Sequence, residues 1–216
     1  MHIPDGFLAA NTWVPAWIVS MGGLGYCIKR VSVFLKDKTV PLMGVMAAFI
    51  FAAQMLNFPV AAGTSGHLLG GVLAVVLLGP YAGAIVIAVV LAVQCLVFQD
   101  GGLTALGANI FNMSFIGAMG GYIIYNVIKN LIGGNKGIII GTAAAAWASV
   151  VLASSACAVE LAVSGTSPLR IALPAMALVH MLIGIGEAFI SVVVVSFVLK
   201  TRPDLIYNNG EEAAYE

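Results

Sequence analysis

Long apolar runs constrain this chain most. They do not alternate as half-buried strands do, and they are broken only by Gly, Pro and sparse charges. Hydrophobic residues make up 61% of the 216 positions and charged residues 8%, whereas a soluble domain is about one quarter charged. Such a chain cannot clothe a water-facing surface, so its solvent is mostly lipid. Its backbone must then be satisfied inside helices or a closed barrel. Runs without period-two alternation select helices. The expected fold class is an all-α integral membrane protein, one domain over residues 1–216.

Windows of the length that crosses a bilayer predict seven spans, at 13–31, 40–58, 67–79, 80–98, 107–129, 137–163 and 171–199. The third is short. At ~1.5 Å per residue it would reach about 20 Å, less than the ~30 Å hydrocarbon core. A helix entering partway, or tilted in a protein-lined cavity, suits it. An odd count also sorts the charges. Lys29, Arg30, Lys36, Lys38, Lys129, Lys136, Lys200 and Arg202 fall on one side, and Arg170 alone on the other. The positive-inside rule makes the first side cytoplasmic, with the C-terminus inside and the N-terminus outside. The opening MHIPDGFLAANTW has neither the basic n-region nor the cleavage site of a signal peptide. Met1 is therefore expected to remain on the mature chain.

Several features carry no chemistry by themselves. Cys27, Cys95 and Cys157 lie far apart in apolar stretches and read as small buried hydrophobes. Gly66-xxx-Gly70 and Gly117-xxx-Gly121 let backbones approach, either within the bundle or against a partner membrane protein. The tail EEAAYE is expected to be solvated. A formal net charge of zero gives no argument for a nucleic-acid partner.

The His residues are the informative group: His2, His67 and His180. A free N-terminal amine, the amide nitrogen of residue two and the Nδ1 of a His at that position can close two fused chelate rings. Ni²⁺ and Cu²⁺ promote the required loss of the amide proton, because square-planar nitrogen ligation suits them. One corner stays open, and His67 is the candidate on the same side. It is expected to start the third helix, capped by Thr64 or Ser65, where the helix dipole favours a neutral imidazole. Asp5 is expected to orient the other ring nitrogen of His2. The outer loop around Asp100, Thr104, Asn109 and Asn112 either lines this site, with an amide such as Asn109 holding a His, or merely caps helices. Gln54 and Asn57 are placed to face the same pocket. No cluster of Met or Cys accompanies Met1, which disfavours Cu⁺. Within the spans, Glu160 and Glu187 are costly carboxylates. Glu187 shares a helix face with His180, readable as a structural pair or as a relay or second cation site.

The segments MHIPDGF, PVAAGTSGHLLGG with LLGP, and QDGGLTALGANIFNM resemble the nickel/cobalt substrate-binding subunits of energy-coupling factor transporters, the CbiM/NikM family. The resemblance covers nearly the whole chain, and Pro4-Asp5 resembles the nickel members. It implies a seven-helix subunit that holds Ni²⁺, or Co²⁺, as transported substrate through the Met1 amine, the His2 amide and imidazole, and His67. It implies residence in a prokaryotic cell (inner) membrane. It also implies partners: a transmembrane coupling subunit, cytoplasmic ATPase subunits and, in some members, a small accessory membrane protein. The chain has no P-loop motif, so ATP hydrolysis is expected in partners and this subunit is not an enzyme. Alternatives are a Co²⁺-specific member supplying cobalamin synthesis, and a self-sufficient secondary transporter. A retinal protein would need a Lys within the last span, and Lys200 lies at its end. An intramembrane metalloprotease would carry HExxH, which is absent.

Overall fold

The computed structural model describes residues 1–34, 39–60 and 64–208. Lys36, Lys38 and the EEAAYE tail lie outside the described residues. The helices are α1 (Ala10–Phe34), α2 (Thr39–Gln54), α3 (Gly71–Leu78), α4 (Pro80–Phe98), α5 (Leu106–Ile110), α6 (Gly120–Ile132), α7 (Gly134–Val163) and α8 (Leu169–Thr201). A π-helical stretch, Phe111–Met119, joins α5 and α6 into one 27-residue rod. A helix therefore stands at each of the seven expected spans. Four rods, namely α4, α5–α6, α7 and α8, are long and apolar enough to cross a membrane, while α2 is apolar but shorter.

The all-α expectation needs one correction. A two-stranded antiparallel ribbon, β1 (Phe58–Val60) with β2 (Thr64–Gly66), follows α2, and Pro59 faces Ser65 in its register. Pro59 accounts for the early end of α2 at Gln54 rather than residue 58 and is compatible with the ribbon that follows. The residue before a proline is driven out of the helical region, and a proline is tolerated in a strand only where it need not donate.

The short third helix stands at the centre of the bundle. All eight residues of α3 are buried, as a helix apolar on every face must be. It is packed by α4, α6, α7, α8 and the π-helical stretch. It begins at Gly71, not at His67. Gly70 takes a left-handed conformation (φ 73°) as its N-cap, and that conformation breaks any helix running in from His67. The expected cap at Thr64 or Ser65 is thus replaced by Gly70. Two neighbouring glycines make room for the central helix. A Cβ on Gly117 would stand 2.6 Å from a Leu69 methyl, and one on Gly121 the same distance from Val72. The Gly117-xxx-Gly121 face is spent inside the bundle, on close packing.

At its other end α3 stops at Gly79 (φ 82°), and Pro80 opens α4 at once, where a missing N–H costs nothing. The chain after α8 folds back over this corner. The Tyr207 amide donates to the Val76 carbonyl at 3.0 Å, satisfying an orphan acceptor of the helix end.

α8 turns one stripe inward: Ala172, Met176, His180, Gly184, Glu187, Ser191 and Val195. The steps of three and four residues are those of one helix face. Ile18, Leu182, Phe189 and Phe197 lie exposed on the outside of the bundle, as lipid-facing residues would.

At Gly79 a side chain meets both strain and contact, because an added Cβ lies 2.5 Å from the Tyr207 ring. Gly79→Ala should destabilise the protein by about 1 kcal/mol or more. Gly22→Ala, inside α1 where nothing stands within 4 Å, should be neutral or stabilise by up to about 1 kcal/mol. Thermal unfolding in detergent distinguishes the two.

Candidate metal centre

Residues 1–9 precede α1 and turn back into the bundle. Met1 and Ile3 are fully buried and His2 is 4% exposed. The segment is held by a side chain acting as a strand would. Asn109 Oδ1 accepts from the Ile3 amide at 2.9 Å, and Asn109 Nδ2 donates to the Ile3 carbonyl at 3.2 Å. The Gly102 amide donates to the same carbonyl. Gly102 lies so close that a Cβ there would stand 2.2 Å from the Asp5 nitrogen, so only glycine admits this crossing.

Asp5 anchors the outer end. Its carboxylate accepts from the Leu103 amide (3.0 Å), the Thr104 amide (2.7 Å) and the Thr104 hydroxyl (2.5 Å). The Thr104 hydroxyl chiefly, with the amides, holds this carboxyl below its usual range. The expected contact with the His2 ring is corrected here. Asp5 caps the residue 103–104 turn, and the carboxylate beside His2 is that of Asp100, with Oδ1 3.6 Å from Nδ1. Asp100 also accepts from Asn57 at 3.2 Å. Burial raises its pKa, against the opposing pull of the amine. Asn109 likewise holds the Ile3 backbone rather than an imidazole. Asn112 donates to Glu160 at 2.5 Å and ties the π-helical stretch to α7.

The terminal amine donates to the carbonyl and to the hydroxyl of Ser65. The His2 amide donates to the same hydroxyl at 3.3 Å. Ser65 thus joins the terminus to the segment that carries His67. Burial pushes the Met1 amine down to about 5, so it is neutral and carries a lone pair at pH 7. Burial pushes the His2 imidazole down to about 3, the amine adding to the effect and the Gln94 bond opposing it.

The imidazoles of His2 and His67 lie with ring centroids 4.6 Å apart. Gln94 Oε1 accepts from His2 Nε2 at 3.0 Å, which places the proton on Nε2 and leaves a lone pair on Nδ1. His67 Nδ1 donates to the Leu68 carbonyl at 2.7 Å, which leaves a lone pair on Nε2. Both lone-pair nitrogens are buried and without a hydrogen-bond partner. Buried polar atoms are nearly always paired, and a ligating His typically gives its other N–H to a carbonyl or carboxylate. Two neutral rings prepared in this way, beside a neutral amine, have the electron-pair donors that a cation could use. Among the described residues no three His, Cys, Asp or Glu side chains converge on one point. The remaining donors here are backbone nitrogens of residues 1 and 2.

The segment bearing His67 is fixed from two helices. Gln54 on α2 donates to the Leu69 carbonyl at 2.7 Å. Glu187 on α8 accepts from the Leu69 amide at 2.8 Å and the Gly70 amide at 2.6 Å. Glu187 is thereby committed to this segment, while His180 Nδ1 bonds the Met176 carbonyl. The reading of a His180–Glu187 pair gives way to these separate contacts. Sequence reasoning missed Gln94 as the partner of His2. Its one signal was an amide inside an otherwise apolar span.

Comparisons with known proteins identify the family. The family described as the cobalt uptake substrate-specific transmembrane region, CbiM, matches residues 2–205. A protein of Archaeoglobus fulgidus, provisionally named fused nickel transport protein NikMN, is 44% identical over 95% of this chain and 68% of its own length. The fused nickel transport protein NikMN of Rhodobacter capsulatus is 34% identical over 100% of this chain and 67% of its own. A crystal structure of a truncated transition metal transporter superposes with a TM-score of 0.86 at 34% identity, covering 93% of this chain and 99% of that one. On these likenesses the chain belongs to the CbiM/NikM family of metal-transport proteins, with the multi-pass helical build of a membrane protein.

Proposed function

We propose that this chain captures Ni²⁺ at the outer face of a prokaryotic inner membrane, as the substrate-specific subunit of an ATP-driven energy-coupling factor importer. The donors are the Met1 amine, the His2 amide nitrogen after loss of its proton, His2 Nδ1 and His67 Nε2. The observation that carries this reading is the pair of buried, unpartnered ring nitrogens beside a neutral terminal amine. Four nitrogens suit a square-planar ion. Charge also balances. A divalent ion, one amidate and the Asp100 carboxylate sum to zero, as a buried site requires if it is to avoid a large desolvation penalty.

In this reading the chain crosses the membrane seven times, with the N-terminus outside and Lys29, Arg30, Lys129, Lys136, Lys200 and Arg202 toward the cytoplasm. A transmembrane coupling subunit, cytoplasmic ATPase subunits and, in some assemblies, a small accessory membrane protein complete the importer. The matching family's description favours a second substrate, Co²⁺.

Three outcomes test the site. One residue added before Met1 removes the chelating terminus and should abolish tight Ni²⁺ binding; tight binding by the extended protein, measured by calorimetry, would sink the chelate. His67→Ala should lose more than about 100-fold in affinity, since a direct ligand outweighs the 10–100-fold typical of outer contacts, and Asp100→Asn should fall within that smaller range. Bound Ni²⁺ should be diamagnetic with a visible d–d band, whereas a paramagnetic ion would mean a different coordination. Metal-dependent uptake that persists without ATPase subunits would favour the secondary-transporter alternative.

A further inference from the structure

His180 is the remaining imidazole, and it is prepared in the same way as His67. It is fully buried. Its Nδ1 donates to the Met176 carbonyl at 2.7 Å, and its Nε2 is buried without a hydrogen-bond partner. Hydrogen-bonding one ring nitrogen to a carbonyl while leaving the other bare is the arrangement that orients a metal-binding His. His180 also stands within electrostatic reach of both His67 and the Met1 amine.

His180 does not complete the first site. No three His, Cys, Asp or Glu side chains converge on one ion among the described residues, so His2, His67 and His180 do not hold a metal together in this arrangement. His180 lies beside that site, on the stripe of α8 facing the bundle interior that continues through Gly184, Glu187 and Ser191. Polar groups facing the interior of a membrane bundle mark ion pathways by default. The same helix grips the His67 segment, because Glu187 accepts from the Leu69 and Gly70 amides. A shift of α8 would therefore move His180 and the backbone beside His67 together.

We propose that His180 Nε2 is a transit ligand beside the capture site, taking the ion as it leaves His67. The inference rests on capture by Met1, His2 and His67. It adds a transit ligand to that site, with Ni²⁺ remaining divalent throughout. One nitrogen–metal bond is exchanged for another at His180, whose Nε2 already carries its lone pair, and the His2 amidate takes a proton back from water as its own bond to the ion breaks.

The test uses the full chain with its native N-terminus, in cells expressing the complete transporter, together with the purified subunit. Ni²⁺ alone is the probe. His180→Gln preserves bulk and polarity but removes the imidazole; His180→Cys offers a different metal ligand. The purified Gln variant should bind Ni²⁺ within about twofold of wild type, because the capture ligands are untouched. Its cellular Ni²⁺ uptake should fall by at least about tenfold, the smallest loss typical even of the contacts that only support a metal ligand. His180→Cys should recover part of that uptake. Unchanged uptake in the Gln variant would overturn the proposal, as would equal loss in the Gln and Cys variants, which would show that His180 acts by shape. Loss of equilibrium binding with His180→Gln would overturn it too, by placing His180 in the capture site or the fold. Failure of the wild type to bind Ni²⁺, or full affinity in His67→Ala, would instead bring down the capture site on which the inference rests.

Discussion

Everything at this site depends on burying a chain terminus. A terminal amine is ordinarily a hydrated cation, and carrying it into an apolar bundle strongly disfavours its charge. The protein resolves the conflict by giving up the proton. A neutral amine needs a partner less urgently than an ammonium, and it offers a lone pair instead. The same burial keeps both nearby imidazoles neutral. A single constraint, the exclusion of water from residues 1 to 3, thus produces several electron-pair donors in one place. Such a set is suited to the divalent cation proposed as its ligand.

The supports around the donors are separate from the donors themselves. Asn109 and Gly102 grip the Ile3 backbone, Asp5 fixes the turn above it, and Gln94 sets the tautomer of His2. Glu187 and Gln54 fix the irregular segment that leads from His67 into α3. These contacts come from α2, α4, α5, α8 and the loop before α5. Rigid elements position the site, although its donors sit on irregular backbone. Irregular backbone at such depth is tolerated only where protein encloses it, and the fully buried α3 supplies much of that enclosure.

Much of the fold was legible in the sequence because lipid leaves few choices. Apolar runs bounded by Gly, Pro and Lys marked the rods, and the short run 67–79 marked a helix too brief to span. The start of that helix was misplaced because a left-handed Gly70 reads like any other glycine until its φ is known. The β-ribbon was missed for a related reason: Pro59 shows that a helix ends, not that a strand begins. At the site, the His2–His67 pairing was legible from the chelate chemistry of residue 2 and from shared sidedness. The partners of the rings were not. Gln94 lies far along the chain from His2, and no local spacing connects them. Asp5 was the nearest carboxylate in sequence, yet the turn at Gly6 (φ 82°) leaves it facing Thr104, and Asp100 takes the place beside the ring.

The two-point grip of Asn109 on Ile3 bears on which positions can drift. A side-chain amide that donates and accepts is here mimicking a neighbouring strand, and it reads only the main chain of residue 3. The identity of that residue is then limited by volume and apolarity alone, and Val or Leu would meet the same grip. Position 109 has no such latitude. An aspartate there keeps the acceptor but loses the donor, a leucine keeps the bulk and loses both, and a glutamine reaches one methylene too far. The variable residue and the fixed one are thus reversed from what their chemistry suggests: the buried hydrophobe is replaceable, and the polar residue facing it is not.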